Sequence, residues 1–210
     1  MRFFFNFFDK VKNRANSVFP FEYNKVIEFN NEFSELLKKD AFLARSDYSF
    51  LLTKYDDIYV FFNSCKTALT LEFYCKQNKI NKKEIETFLQ AYEDIKDLRK
   101  GSSIINKHNE QYIISHLKNE KTYFDVILQE IDRNILLDEE QRRVVLSDED
   151  YSLIIEGAGA GKTTTIAAKV RYLVEKKHVD PKQILVISFT NKAVGELKER
   201  INDGLKIPCP

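Results

Sequence analysis

The sequence has few of the residues that mark secreted, metal-binding or membrane-spanning proteins. Its three cysteines, Cys65, Cys75 and Cys209, are odd in number and have no metal-ligand spacing. This favours free or buried thiols in a reducing cytosol. The one conspicuous apolar run, residues 1–9, is interrupted by polar residues, lacks a cleavage site and is far shorter than the ~20 residues of a membrane span. We expect a cytoplasmic protein without a membrane segment.

That apolar run fits an amphipathic first helix better than any targeting signal. Apolar residues in the run and just after it recur at helical spacing, at Phe4, Phe8, Val11 and Ala15. A weak contact with a membrane or a partner protein is the alternative interpretation.

An excess of positive charge is also missing. The 210 residues include 33 Lys and Arg against 32 Asp and Glu, so the formal net charge is +1. Net charge therefore does not indicate a nucleic-acid-binding protein, and any such surface must be local. His108 and His116 have no paired ligands, which favours ordinary histidines over a metal site. The apolar content of 43% is enough for one or two domains with a core.

From Pro20 to about Arg133 the sequence shows helical periodicity and almost no strand pattern. The clearest segment begins at Asn81, a candidate N-cap, and repeats apolar residues at helical steps up to Gly101, where glycine and serine predict a bend or an end. A further helix is predicted from about Asn109 to Ile131. Positive and negative residues are mixed along this region, which is typical of a solvated helix surface. We predict an all-helical N-terminal module.

A glycine-rich loop, Glu156–Thr164, dominates the rest of the chain. The apolar run Tyr151–Ile155 before it predicts a buried strand, and the apolar steps from Thr163 to Lys177 predict a helix. Strand, glycine-rich turn, Gly-Lys-Thr and helix in this order indicate a phosphate-binding loop. Backbone N–H groups at a helix N-terminus converge on phosphate oxygens there. The alternative is a glycine-rich turn that binds nothing.

A second βα unit is predicted after the loop. Ile184–Phe189 resembles another buried strand, and Thr190 and Asn191 can cap a helix from Lys192 to about Asn202. A crossover of this length predicts a parallel, right-handed βαβ unit. Upstream, Asp138 and Gln141 have the spacing of a capping box for a helix that starts at Glu139.

Three motifs in this order resemble the N-terminal ATPase core of the UvrD/Rep-type superfamily 1 DNA helicases, with helicase IV-like features from Asn109 onward. They are Leu137–Gln141, the glycine-rich loop, and Ile187–Ala193 followed by Glu196, Leu197 and Arg200. The resemblance covers about Asn109 to Pro210, and the all-helical module over residues 1–133 rests on the helical periodicity. Over residues 134–210 the resemblance implies the start of a parallel-sheet, RecA-like P-loop NTPase domain.

The resemblance also implies roles for single residues toward ATP and Mg²⁺. Gln141 matches the glutamine that reads adenine, Lys162 the catalytic lysine on the β- and γ-phosphates, and Thr163 the catalytic hydroxyl that holds Mg²⁺. The remaining nucleotide-binding positions of the loop are Glu156, Gly157, Ala158, Gly159, Ala160, Gly161 and Thr164.

A third motif implies contacts with nucleic acid. Phe189, Thr190 and Asn191 match the residues that touch single-stranded DNA, with Phe189 as a stacking face. A strand core and a helix cap are the alternative for these three residues. The loop departs from the family pattern twice, because Glu156 stands where alanine or glycine is usual and Thr164 where many members have arginine.

The implied function is an ATP-dependent DNA helicase that moves 3′ to 5′ on single-stranded or partly duplex DNA. The family's Asp-Glu motif, arginine fingers and second RecA-like domain would follow Pro210. We therefore expect an N-terminal fragment that binds ATP but does not hydrolyse it alone. The alternatives are an ATPase that acts as a repair switch or clamp without unwinding, and a non-enzymatic module whose helical part docks a protein partner.

Overall fold

The computed structural model describes residues 23–64, 81–155, 157, 159 and 161–208. The expected N-terminal amphipathic helix lies outside these residues, as do Cys65, Cys75 and Cys209. The described residues divide into two compact units on either side of the His108–Asn109 boundary. The domain boundary predicted at residues 133/134 rests on motifs and stays a prediction. No helix in the described part is long and apolar enough to cross a membrane.

Helices make up the regular structure of the described residues. They are α1 (Tyr23–Leu37), α2 (Arg45–Lys54), α3 (Asp56–Ser64), α4 (Lys82–Lys100), α5 (Ser103–Asn119), α6 (Lys121–Val126), α7 (Glu139–Leu146), α8 (Lys162–Glu175) and α9 (Asn191–Lys198). A 3₁₀ turn, Pro181–Gln183, precedes α9, and a π-helical stretch, Glu199–Gly204, follows it.

The predicted parallel sheet is wrong for the residues that the structure describes. Neither Tyr151–Ile155 nor Ile184–Phe189 is a strand there, and most of their apolar side chains are exposed. Leu153 is 87% exposed and Ile187 81% exposed, whereas a buried strand would cover both. An apolar run becomes a strand only when another strand takes up its backbone hydrogen bonds, and none is described beside these segments. The described part is all-helical.

Local hydrogen bonds explain where several helices begin. Asn81 and Glu84 form a reciprocal capping box at the start of α4, and Asp138 and Gln141 form another at the start of α7. The sequence predicted Asn81 as an N-cap and Asp138 and Gln141 as a capping box, and both predictions are confirmed. The helix predicted over residues 109–131 is instead split, because α5 ends at Asn119 and α6 begins at Lys121.

The first unit has a core rich in aromatic side chains. Phe29 of α1 stacks on Phe33 and meets the ring of Tyr55 edge-on at 5.2 Å. Arg99 of α4 lies over the Tyr59 ring and pairs with Asp56, which attaches α4 to α3. The buried residues of this core are Val26, Phe29, Phe33, Leu36, Leu43, Tyr48, Leu51, Tyr55, Ile58, Phe88, Ala91, Ile95, Leu98 and Ile105.

The second unit is built around α8. Tyr172, 2% exposed, stacks on Phe124 of α6 with ring centroids 6.0 Å apart. Arg171 on the same helix donates to the Ile127 carbonyl at 2.9 Å and to Glu175 at 2.8 Å. These contacts fix α8, the helix that begins at Lys162.

Candidate functional site

The glycine-rich loop enters α8 through two glycines with left-handed backbone. Gly159 has φ +79° and Gly161 has φ +91°, conformations that glycine adopts far more readily than other residues. Gly161 is the N-cap of α8, and it has no side chain to occupy the first N–H groups of the helix. The positive end of the helix dipole therefore lies at the loop, where an anion is stabilised.

Lys162 lies at the first position of α8 and closes the loop on itself. Its exposed ammonium donates to the Gly157 carbonyl at 2.7 Å. Thr163 follows in the first turn and is half-buried. Glu156, Ala158 and Ala160, the other predicted nucleotide-binding positions, lie outside the described residues.

Gln141 reaches the loop from α7. Its Oε1 accepts from the Asp138 backbone N–H at 3.1 Å as part of the capping box. Its Nε2 lies so close to Gly161 that a methyl group on that glycine would come within 2.6 Å of it. The capping role and the position beside the loop therefore occur together in one side chain, as the sequence allowed.

The backbone of Gly161 also anchors the first turn of α8. Its carbonyl accepts from the Thr165 N–H at 2.9 Å and from the Thr165 hydroxyl at 3.2 Å. Thr165 is 2% exposed, so this turn is fixed from inside the unit. The loop consequently has a rigid exit into α8.

Thr164 stands at a position where many members of the resembled family have arginine. An arginine from a distant part of the chain contacts it. Arg200 of the π-helical stretch donates from Nη1 to Thr164 Oγ1 at 3.1 Å. No ion pair of Arg200 is found among the described residues. The two residues are 36 positions apart, and no spacing rule predicts their contact.

The three predicted DNA-contacting residues lie at the start of α9. Phe189 is fully exposed, so it belongs to no core in the described part. Thr190 is the N-cap of α9, and its hydroxyl oxygen accepts from the Ala193 N–H at 3.2 Å. Asn191 is the first residue of the helix. The alternative interpretation of these residues was a strand core and a helix cap. The helix cap is present at Thr190, whereas Phe189 is not part of a strand core in the described residues.

Comparison with known proteins finds similarity over the second half of the chain. Residues 137–209 match the model of the UvrD/REP helicase N-terminal domain. This part of the chain is similar to the N-terminal domain of UvrD/REP helicases. It contains Gln141, the glycine-rich loop and the residues at the start of α9.

Individual helicases are similar to part of the chain. A probable DNA helicase II homolog of Mycoplasma capricolum is 46% identical over 77 residues, which is 35% of this chain and 11% of that protein. The ATP-dependent DNA helicase PcrA of Staphylococcus aureus is 45% identical over 62 residues, 30% of this chain and 8% of that protein. The chain thus spans about a tenth of the length of these relatives. No solved structure matches it.

Proposed function

We propose that this chain belongs to an ATP-dependent DNA helicase and that its second unit supplies part of the nucleotide site. The observation that carries the proposal is the junction of the glycine-rich loop with α8. There a cation, Lys162, lies at a helix N-terminus behind two left-handed glycines. This combination suits a di- or triphosphate, because several donors and one full charge meet the same group of oxygens.

The residues around the loop take different parts of the nucleotide. Lys162 leaves the Gly157 carbonyl for the β- and γ-phosphates, whose negative charge exceeds that of a neutral carbonyl. The Gln141 amide offers a donor and an acceptor to the edge of the base, which favours adenine over guanine. The proposed substrate is therefore ATP.

Magnesium fits this site only as a companion of the nucleotide. No group of three or more His, Cys, Asp or Glu that could hold a metal is found among the described residues. The Thr163 hydroxyl in the first turn of α8 is one oxygen ligand, and Mg²⁺ commonly takes most of its others from phosphates and water. In the bound complex the ion would neutralise charge on the phosphates.

DNA is the proposed second substrate, held near the start of α9. The exposed ring of Phe189 supports this proposal, because an aromatic face in solvent suits stacking with an unpaired base. By similarity to the family, ATP-driven movement along the strand runs 3′ to 5′. Strand displacement from a duplex with a 3′ single-stranded tail, by the natural protein that carries this chain, tests that polarity.

The nucleotide part is tested with Lys162→Ala in the chain itself. We expect the affinity for MgATP to fall roughly tenfold to hundredfold, the range for a lost hydrogen bond to a charged group. Lys82→Ala is the matched control, because Lys82 is an almost fully exposed lysine on α4. Isothermal titration calorimetry measures both variants, and equal ATP affinity in the two would refute the phosphate role of the loop.

A further inference from the structure

Lys169 on α8 is a largely buried lysine that holds the end of α7. Its ammonium donates to the Ser147 carbonyl at 2.6 Å and to the Val145 carbonyl at 2.9 Å. An oxygen of Asp148 lies 3.6 Å away. Burial lowers the pKa of Lys169, and the charge of Asp148 opposes that shift. Because desolvating an ammonium is costly, these three oxygens are needed to keep it there.

The geometry assigns this lysine to the same interface as Gln141. On α7, Gln141 and Val145 are four residues apart and share one face of the helix. On α8, Gly161, Thr165 and Lys169 follow each other at the same spacing and also share one face. Gln141 meets Gly161 at one end, and Lys169 meets Val145 and Ser147 at the other. The two ends are about 12 Å apart along α8.

A helix as short as α7 depends on such fixed points. It has 8 residues, and its other cap is the Asp138–Gln141 box at its start. A cation at its C-terminal carbonyls stabilises it through hydrogen bonds and through the helix dipole. Without that cation the end of α7 loses its attachment to α8, and the Gln141 amide loses its fixed position beside the loop.

We propose that Lys169 is a positioning residue for base selectivity. It acts through α7, by holding the Gln141 amide where the base of a nucleotide binds, and it does not touch the nucleotide itself. This inference rests on the proposed function, because it requires a nucleotide in the glycine-rich loop. It adds a residue outside the loop to the recognition of the base.

The test compares three ligands on the purified chain: ATP, GTP and inorganic tripolyphosphate, each with Mg²⁺. Lys169→Met removes the ammonium group and keeps an unbranched side chain that is one heavy atom shorter. We expect its preference for ATP over GTP to fall roughly threefold to tenfold, the range of one hydrogen bond to the base. Tripolyphosphate affinity should stay unchanged, because the loop and Lys162 remain. A purely structural role would lower all three affinities together.

Two further variants serve as controls. Lys169→Arg keeps a cation at the carbonyls and should retain the ATP preference. Lys177→Met removes a cation that also lies 3.6 Å from Asp148, and it should likewise leave the preference intact. Thermal unfolding measured by circular dichroism shows that each variant is folded. If Lys169→Met does not fold, Lys169→Gln replaces it, because its amide still donates to one carbonyl.

The outcomes separate this inference from the proposed function. Wild-type chain that binds no nucleotide overturns both. An ATP-selective wild type with an equally selective Lys169→Met variant overturns the positioning role alone. Failure of both the Met and the Gln variants to fold shows a structural role and also overturns it.

Discussion

Gly161→Ala is the change that the geometry of the loop constrains most closely. Gly161 has φ +91° and ψ 22°, so alanine at this position adopts a left-handed backbone. That conformation costs an L-residue roughly 1–2 kcal/mol. This first contribution depends only on the backbone and is shared by any side chain.

A second contribution comes from the neighbouring helix. The new methyl group would lie 2.6 Å from Gln141 Nε2, well inside van der Waals contact. Nε2 lies at the end of the flexible Gln141 side chain, so we expect the side chain to move aside. Its Oε1 then loses the hydrogen bond that it accepts from the Asp138 N–H at 3.1 Å. Loss of a capping interaction costs about 1 kcal/mol. We expect Gly161→Ala to lower the free energy of unfolding by about 2–3 kcal/mol.

Gly159→Ala is the matched control in the same loop. Gly159 also has a left-handed backbone, with φ +79°, but among the described residues no heavy atom lies within 4 Å of the position its methyl group would take. We expect this variant to cost only the backbone contribution of about 1–2 kcal/mol. Urea unfolding of the two variants, followed by circular dichroism, measures the difference.

A double-mutant cycle isolates the contact itself. In a Gln141→Ala background the methyl group at residue 161 has nothing to displace, so Gly161→Ala should cost about 1 kcal/mol less than in the wild type. Equal costs for the two glycines, together with additive effects in the cycle, would refute the close approach of Gln141 to the loop.

Two further predictions concern the helical core and the DNA contact. Asp94 is 8% exposed, and burial raises the pKa of its carboxyl group above 3.8 despite the hydrogen bond from Gln90. Ionisation of Asp94 therefore lowers the stability of the folded state as the pH rises through the folded pKa. Asp94→Asn should unfold at higher urea than wild type at about pH 7 and at similar urea below about pH 4, whereas Glu86→Gln on the exposed face should match wild type at both. Phe189→Ala should weaken binding to single-stranded oligonucleotide by ~1–3 kcal/mol and leave the urea midpoint unchanged, because the ring is fully exposed; a lowered midpoint would show that Phe189 packs in a core.

Helix starts were predictable from the sequence because their determinants are local. Asn81 and Asp138 each accept from an N–H three residues ahead, and Thr190 does the same at α9. A side chain and a backbone group this close along the chain meet whatever the rest of the fold does. The capping residues therefore identified α4, α7 and α9 correctly.

The two predicted strands failed for the opposite reason. Tyr151–Ile155 and Ile184–Phe189 have the apolar, β-branched composition of strands, but composition does not provide a pairing partner. A strand exists through hydrogen bonds to another segment, and that segment is not specified by the run itself. Most of their apolar side chains are exposed, because no described segment pairs with them or covers them.

Contacts between helices were beyond the sequence for a related reason. In the sequence, nothing distinguishes Lys169 from other helical lysines. Only the packing of α7 on α8 brings its ammonium to the Val145 and Ser147 carbonyls. Arg200 likewise meets Thr164 only in the folded unit. The glycine-rich loop could be recognised because its residues are consecutive, whereas these two supporting residues could not.

Gly161 joins the two parts of the proposed nucleotide site. Its backbone turns the loop into α8 beside Lys162, and its missing side chain lets Gln141 approach. A larger residue at position 161 would disturb the proposed phosphate and base contacts together, because both depend on the backbone of Gly161 and on the space beside it. Lys169 differs, since it reaches only α7 and leaves the loop untouched. Base selectivity can therefore change at residue 169 without loss of phosphate binding, whereas at residue 161 the two properties change together.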